Sequence, residues 1–218
     1  MESGLLTITL ERDWITQRLS ALTTPRERGD HDLNPGFRPD PPLRPAAVLV
    51  GLVERGDGLT VLLTQRTDHL QHHPGQVSFP GGHIERHDSN AVAAALRETE
   101  EEIGLPASHI DVIGRLDTYV TRTGFEVTPV VAMIEPPFEL APDPHEVAEV
   151  FEVPLAFLMD PANHQRHTRE LEGIKRFFYA MPYHDHFIWG ATAGMIVDLY
   201  QVLTSPVTTP PIDETNAT

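Results

Sequence analysis

The chain has 218 residues, enough for one domain with a substantial core, and its composition is ordinary for a globular protein. Its 16 basic and 32 acidic side chains give a net charge of −16, which argues against a nucleic-acid partner but permits an anionic small molecule bound through metal ions. Disulfide and thiol chemistry are excluded because there is no cysteine, and no secretory pattern or membrane-spanning apolar run is present, so a cytoplasmic location without a membrane partner is expected.

Hydrophobic periodicity and turn residues divide the chain into a short arm, one domain and a tail. Residues 1–45 are predicted as an N-terminal helix and a proline-rich arm, residues 46–204 as the domain, and residues 205–218 as a disordered tail. Helices are predicted, in chain order, over Leu10–Leu22, from a cap at Asp88 or Ser89 to a cap at Gly104, over Pro154–Met159 and over Ala191–Leu203. Strands are predicted over Ala46–Val53, Leu59–Thr64, Ile110–Val120, Phe125–Ile134, Glu146–Val153, Arg176–Tyr183 and His186–Trp189, and a loop over Gly75–Gly82.

The second predicted helix carries the most informative segment, Arg97-Glu98-Thr99-Glu100-Glu101-Glu102-Ile103-Gly104. At about 100° per residue, Glu98, Glu101 and Glu102 fall within one narrow sector, opposite an apolar stripe that would face the core. Carboxylates at this spacing repel one another, and a hard cation such as Mg²⁺ or Mn²⁺ would relieve the repulsion. Because an acidic run is more often a solvated helix face, the helix alone does not establish a metal site.

The residues around this helix resemble the Nudix box, G-x5-E-x7-R-E-U-x-E-E-x-G-U, in which U is apolar. The matching positions are Gly82, Arg97, Glu98, Glu101, Glu102, Gly104 and Leu105. Asp88 stands six places after Gly82, but eight residues rather than seven separate it from Arg97, and Thr99 replaces an apolar residue.

A second motif resembles the coenzyme A diphosphatase branch of this family, whose signature reads L-L-T-x-R-[SA]-x3-R-x3-G-x3-F-P-G-G. The stretch from Leu62 to Arg66, then Gly75, then Phe79 to Gly82 match at the right spacing. Thr67 replaces Ser or Ala, and Gln71 replaces Arg, which removes a cation that could meet a phosphate. The longer box also resembles this branch, and the resemblance runs from about residue 46 to 203.

The resemblance implies an α/β (α+β) fold, a Nudix-type α/β/α sandwich with a mixed β-sheet between helices, and the alternation of strands and helices agrees with it. It implies a hydrolase that breaks a phosphoanhydride in a nucleoside diphosphate linked to another moiety, most directly coenzyme A to 3′,5′-ADP and 4′-phosphopantetheine. The small-molecule nucleotide would be the partner, Mg²⁺ or Mn²⁺ the cofactor, and a homodimer stays open because dimers are common in the family.

The resemblance also assigns roles. The catalytic metal ligands would be Glu98, Glu101 and Glu102. Arg97 is expected to face away from the metal sector and to pair with Asp88 or Glu85. The expected substrate-binding residues are Arg66, Gln76, Ser78, Gly81 and Gly82, and the expected structural supports are Asp88, Arg97 and Gly104.

Other interpretations stay open for several of these residues. Arg66 could be a surface arginine, the glycines an ordinary turn, and Glu146 a solvated strand residue rather than an extra metal ligand. The histidine pairs are expected to be surface or packing residues rather than zinc ligands, and Trp189 with residues 177–179 to be core rather than an adenine-stacking surface. Gln71 motivates another substrate, such as ADP-ribose or NADH, and a non-catalytic nucleotide-binding regulator ranks last because all three glutamates are present.

Overall fold

The computed structural model describes residues 10–22, 25–69, 74–171 and 173–205. The helices are α1 (Arg12–Ser20), α2 (Ala91–Ile103), α3 (Leu155–Leu158) and α4 (Ala191–Thr204). The strands are β1 (Arg28–Gly29), β2 (Arg44–Arg55), β3 (Gly58–Arg66), β4 (Val77–Ser78), β5 (Gly81–His83), β6 (Ile110–Arg115), β7 (Tyr119–Val120), β8 (Phe125–Ile134), β9 (Val147–Pro154), β10 (Gln165–Leu171), β11 (Ile174–Tyr183) and β12 (His186–Trp189).

A nine-stranded mixed sheet forms the middle layer of the fold. Its main path runs β1-β7-β8-β2-β3-β4, with β5 paired to β2, β6 to β8 and β9 to β3. At its centre β2 and β8 run parallel, from Arg44 opposite Phe125 to Val53 opposite Ile134. Parallel neighbours need a long crossover, and the crossover here carries α2, which therefore lies against one face of the sheet.

Alternation along the central strands builds an apolar layer on each face of this sheet. On β2, Leu49 and Val53 point toward α2 and pack with Ala95 and Ile103. Their neighbours Val50 and Leu52 point the other way and pack with residues of α1, α3 and α4, including Ile15, Leu158 and Ile196. Helices on both faces of a mixed sheet make the sandwich, so the predicted fold class is confirmed.

A smaller antiparallel sheet, β10-β11-β12, stands beside the main one. Met181 and Ile188 anchor it in the second apolar layer. The arm that follows α1 contacts the middle strand, β11, outside the segment of it that pairs with β12. The Asn34 side chain accepts the backbone N–H of Phe177 at 2.8 Å and donates to its carbonyl at 2.9 Å. Asn34 thus takes the place of a neighbouring strand for one residue of β11.

Most predicted elements are confirmed, with three corrections. α2 begins after Asn90, not after Asp88 or Ser89, and the Asn90 side chain accepts the Ala93 N–H at 3.1 Å. The predicted strand over 110–120 is two short strands, β6 and β7, and the predicted loop over 75–82 contains β4 and the start of β5. β10 was not predicted, because its polar sequence has no apolar periodicity.

Two predictions fall where the structure gives no description. Gln71 and residues 206–218 of the predicted tail lie outside the described residues. The division of the chain at residue 45 stays a prediction, although α1 of the arm buries Ile15 and Leu19 in the domain core. None of the described helices combines the length and apolar character required to span a lipid bilayer.

Candidate active site

Two adjacent glycines bring the backbone of β5 against the acidic end of α2. Gly81 has φ +147°, and a Cβ there would lie 2.3 Å from the carbonyl oxygen of Ala47 on β2. Only glycine fits at this contact, since both the conformation and the space exclude a side chain. As a result the Gly81 N–H faces inward and donates to Oε2 of Glu102 at 3.1 Å.

Glu102 is a buried carboxylate with little compensation. Glu102 is 5% exposed. Apart from the hydrogen bond from the Gly81 N–H, its carboxylate has one cation nearby, Nη1 of Arg66, which lies 3.6 Å from Oε1. Burial raises the pKa of Glu102 to about 7, against the lowering effects of the Gly81 hydrogen bond and of Arg66. A positive charge close to a buried carboxylate of this kind would stabilise its ionised form.

Glu98 lies directly over the second glycine. A Cβ on Gly82 would meet the carboxylate atoms of Glu98 at 2.5 to 2.7 Å, so the glycine leaves the space that this carboxylate occupies. Burial raises the pKa of Glu98, while Arg97, whose Nη1 is 3.0 Å from Oε1, lowers it. Glu98 and Glu102 therefore form a half-buried acidic pair that faces the Gly81-Gly82 backbone.

Glu101 is placed differently from the other two acids. Its side chain is 60% exposed, and Oε2 accepts a hydrogen bond from Arg97 Nη1 at 2.9 Å. Across the described ranges, no three His, Asp or Glu side chains already converge on a point where an ion could be held. Glu98 and Glu102 fit a divalent ion by their burial and charge, and Glu101 would have to leave Arg97 to join them.

Arg97 links the helix to the loop before it. Its Nη2 and Nε donate to the two carboxylate oxygens of Asp88 at 2.9 and 3.1 Å, and Nη2 also donates to the carbonyl of His83 at 3.1 Å. The two hydrogen bonds from Arg97 to Asp88, with one from the Glu85 N–H, lower the pKa of Asp88 to about 2. The extra residue in the box does not prevent the Asp88–Arg97 pair.

One expectation about Arg97 is wrong. Arg97 does not face away from the acidic sector, because its guanidinium also contacts Glu98 and Glu101. A long side chain can reach both neighbours along and around a helix, which a projection based on Cα positions does not show.

The predicted substrate residues lie along the strands next to this pair. Arg66 ends β3, and its N–H donates to the Gln76 carbonyl at 3.0 Å. Ser78 on β4 lies opposite Thr64, with their hydroxyl oxygens 3.3 Å apart. The structure thus brings Arg66, Gly81 and Gly82 to the acidic pair, while Gln76 and Ser78 lie one strand further out.

Glu146, for which an extra metal ligand and a solvated strand residue were both open, has an electrostatic influence on the site. The loop before β9 wraps the end of α2, where Asp143 N–H donates to the Glu102 carbonyl at 2.9 Å. The charge of Glu146 raises the pKa of both Glu98 and Glu102, although its own side chain is exposed. The proline-flanked loop Pro142-Asp143-Pro144 was the available signal, but its path to α2 is a tertiary contact.

Comparison with known proteins concerns the family and the fold of the chain. The family model for the NUDIX domain matches residues 42–175. The Nudix hydrolase NudL of Escherichia coli K12, which is named uncharacterized, is 43% identical over 157 residues, covering 72% of this chain and 81% of that relative. The NudL of Enterobacter sp. strain 638 is 40% identical over 156 residues, with the same coverage of 72% and 81%.

A solved structure shares the fold. The Nudix hydrolase RenU from M. smegmatis aligns with a TM-score of 0.52 at 23% identity, over 76% of this chain and 89% of that chain. At this identity the likeness concerns the fold only.

Proposed function

The chain belongs to the Nudix family and is a Nudix hydrolase, and from that premise we propose that it is a metal-dependent diphosphatase of coenzyme A or its derivatives. The products would be 3′,5′-ADP and 4′-phosphopantetheine. Support for the substrate comes from the signature residues Leu62 to Arg66, Gly75 and Phe79 to Gly82. Since the named relatives are NudL proteins called uncharacterized, the substrate rests on that motif.

The observation that carries the proposal is the half-buried acidic pair, Glu98 and Glu102, opposite the two glycines. Breaking a phosphoanhydride requires that phosphate charge be neutralised and that a water be activated, and a divalent ion supplies both when bound. We assign Glu98 and Glu102 to hold Mg²⁺ or Mn²⁺, with Glu101 as a further ligand. The burial of Glu102 and its hydrogen bond from the Gly81 N–H restrict the position of one ligand, as such a site needs.

The remaining residues orient substrate and ligands. Arg66, 3.6 Å from Glu102, is in position to meet a phosphate oxygen next to the metal ligands. The Arg97–Asp88 pair fixes the loop that leads from β5 into α2 and so holds Gly82 against Glu98. Gln76 and Ser78 would offer neutral hydrogen bonds to the part of the substrate that lies beyond Arg66.

The test is chromatography with mass detection of reactions on coenzyme A, ADP-ribose and NADH, each with Mg²⁺, with Mn²⁺ and with a chelator. We expect metal-dependent release of 3′,5′-ADP from coenzyme A. A Glu102→Gln protein purified in parallel controls for contaminating phosphatases. Release of neither coenzyme A product with either metal would contradict the proposal.

A second candidate keeps the site and changes the substrate. Gln71 stands where the coenzyme A signature has Arg, so the chain lacks one cation of that motif that could meet a phosphate. Cleavage of ADP-ribose or NADH without cleavage of coenzyme A would favour this alternative. A non-catalytic regulator would require tight nucleotide binding without turnover under any metal, and the intact acidic pair argues against it.

The location and assembly of the enzyme are proposed from sequence alone. We place it in the cytoplasm, and size-exclusion chromatography with light scattering would decide between monomer and homodimer.

A further inference from the structure

The small sheet has two unlike faces. Its inner face carries Met181 and Ile188, which pack into the main core. Pairing of Ala180 with Trp189, of Pro182 with Phe187 and of His167 with Phe178 puts a different set of side chains on the outer face. This outer face is defined here by His167, Phe178, Phe187, Trp189, Arg169 and Arg176.

The aromatic members of the outer face form one cluster. The ring centroids of Phe178 and Trp189 are 5.4 Å apart, and His167 lies 5.8 Å from both Phe178 and Phe187. Phe187 is 43% exposed, although it belongs to an aromatic cluster. An exposed aromatic cluster presents π-faces on which a nucleobase can stack.

The cluster is continuous with the acidic site through a short series of contacts. Arg66 lies 3.6 Å from Glu102, and its N–H donates to the Gln76 carbonyl at 3.0 Å. Gln76 lies next to Gly190, because a Cβ on that glycine would be 3.7 Å from its Nε2. Trp189 directly precedes Gly190, so the cluster begins one residue from the Gln76 contact.

The next rung of the same face carries two cations. Arg169 on β10 is directly opposite Arg176 on β11. The Arg176 guanidinium lies 3.2 Å from the Phe37 ring centroid, and its Nε and Nη1 are buried without a hydrogen-bond partner among the described residues. Like charges opposite each other destabilise a strand pair, and an anion between them would reverse this.

We propose that the outer face is the nucleoside subsite of this hydrolase. The purine stacks on the Trp189–Phe178 cluster, and a phosphate outside the scissile diphosphate contacts Arg169 and Arg176. This inference rests on the proposed function, and it explains how a chain that lacks the signature arginine at position 71 would still distinguish a 3′-phosphorylated nucleotide from ADP-ribose.

The test uses the fluorescence of Trp189. The chain has two tryptophans, so Trp14→Phe, on α1, leaves Trp189 as the sole source of tryptophan fluorescence. This protein is titrated with 3′,5′-ADP and with 5′-ADP in chelator, so that binding is measured without turnover. We expect both nucleotides to quench the emission, and 3′,5′-ADP to bind roughly tenfold more tightly.

Neighbouring residues on opposite faces provide matched controls. Phe187→Ser is expected to weaken the binding of both nucleotides roughly tenfold. Phe177 is similarly exposed (39% against 43% for Phe187) but lies on the opposite face, so Phe177→Ser should leave binding unchanged. Arg169→Ser should remove the preference for 3′,5′-ADP, whereas Arg166→Ser, on the other face of the same strand, should keep it.

Several results would overturn the inference. These are a Trp189 emission that neither nucleotide changes, equal effects of Phe187→Ser and Phe177→Ser, or a self-association that Phe187→Ser abolishes while nucleotide binding is unchanged. If coenzyme A is cleaved but Trp189 is silent, the subsite fails and the proposed function stands. If Trp189 responds but coenzyme A is not cleaved, the subsite stands and the proposed substrate fails.

Discussion

At the scale of single residues, the buried environment of Glu102 is expected to favour catalytic activity at the expense of folding stability. Its carboxylate is buried and accepts a single backbone N–H, from Gly81, so its charge is costly until a cation is present. A residue kept in such a position is expected to matter more to chemistry than to folding.

We predict that Glu102→Gln abolishes turnover and leaves the fold intact. Loss of several kcal/mol of charge stabilisation at the phosphate corresponds to a rate reduced by roughly a thousandfold. The melting temperature in chelator should not fall, because the substitution keeps the shape and removes a buried charge. Steady-state kinetics and circular dichroism measure the two effects.

Glu100→Gln is the control for that substitution. Glu100 lies on the same helix but is exposed and outside the acidic sector. It should keep the wild-type rate. A Glu102→Gln enzyme that is as fast as Glu100→Gln would remove Glu102 from the metal site.

The Asp88–Arg97 pair is predicted to act by positioning. Asp88→Asn should lower kcat/KM or the affinity for Mn²⁺ by roughly ten- to a hundredfold, the usual cost of losing a group that orients metal ligands. Its Arg97 partner would then donate to one oxygen instead of two. Isothermal titration with Mn²⁺ measures the affinity, and Asp57→Asn, in the exposed turn between β2 and β3, is the control that should change neither quantity.

At the scale of elements, α2 shows why a cap is hard to place from sequence. Asp88, Ser89 and Asn90 are consecutive residues that all can cap a helix. Asp88 is instead bound to Arg97, nine residues later, and Asn90 takes the cap. Local propensity cannot choose the capping residue, because the choice depends on Arg97, which binds Asp88 and leaves Asn90 to cap the helix.

We predict that Asn90→Ala lowers the free energy of unfolding by about 1 kcal/mol, the typical cost of losing a helix cap. Ser89→Ala should change it by no more than a few tenths of a kcal/mol, since its hydroxyl makes only a 3.4 Å contact with Asn90. Urea denaturation followed by circular dichroism gives both values. Equal losses in the two variants would contradict the assignment of the cap.

Pattern and motif gave much of the fold and the acidic residues of the site. The apolar run on β2 and the Arg97-Glu98-x-x-Glu101-Glu102 spacing are local in sequence, and both predictions needed only the chain itself. β10 was missed because Gln165 to Leu171 is polar, and its pairing depends on β11. The sequence left two interpretations of Glu146 open, an extra metal ligand and a solvated strand residue, because an approach to α2 depends on residues far apart in sequence.

At the scale of the whole molecule, buried charges join the N-terminal arm to the C-terminal helix. Asp198 on α4 is 2% exposed, and Oδ1 is 3.0 Å from Arg28 Nη1 in the arm. That nitrogen donates to Gln201 at 2.7 Å, so Asp198 is left with electrostatic attraction rather than a hydrogen bond at Oδ1. Burial raises the pKa of Asp198 to about 6 from its ordinary value of 3.8.

This shift predicts a pH dependence of stability. The pKa of Asp198 is higher in the folded state than in the unfolded state. Its contribution to the free energy of unfolding is therefore fully present below about pH 3.8 and is lost as the pH rises through about 6. The loss amounts to about 3 kcal/mol, from roughly two pKa units. As the pH rises from 4 to 7, the free energy of unfolding of Asp198→Asn should therefore increase by about 3 kcal/mol relative to that of wild type.

Denaturation of both proteins across this range measures the difference. The free energy of unfolding of the Asp57→Asn protein, in which the changed residue is exposed, should follow that of wild type at every pH. A stability difference for Asp198→Asn that is constant with pH would show that this carboxyl titrates alike in the folded and unfolded chain.

The small sheet has a consequence for how new specificities arise in this scaffold. Among the strands that the structure describes, β10, β11 and β12 pair only with one another, and they meet the catalytic strands near Gly190 and the arm at Asn34. Substitutions on the outer face can therefore accumulate without disturbing α2 or the glycines beside it. Grafting only the outer-face residues of a relative with a different substrate should therefore transfer substrate preference, while the core contacts of Met181 and Ile188 and the chemistry of the host are kept.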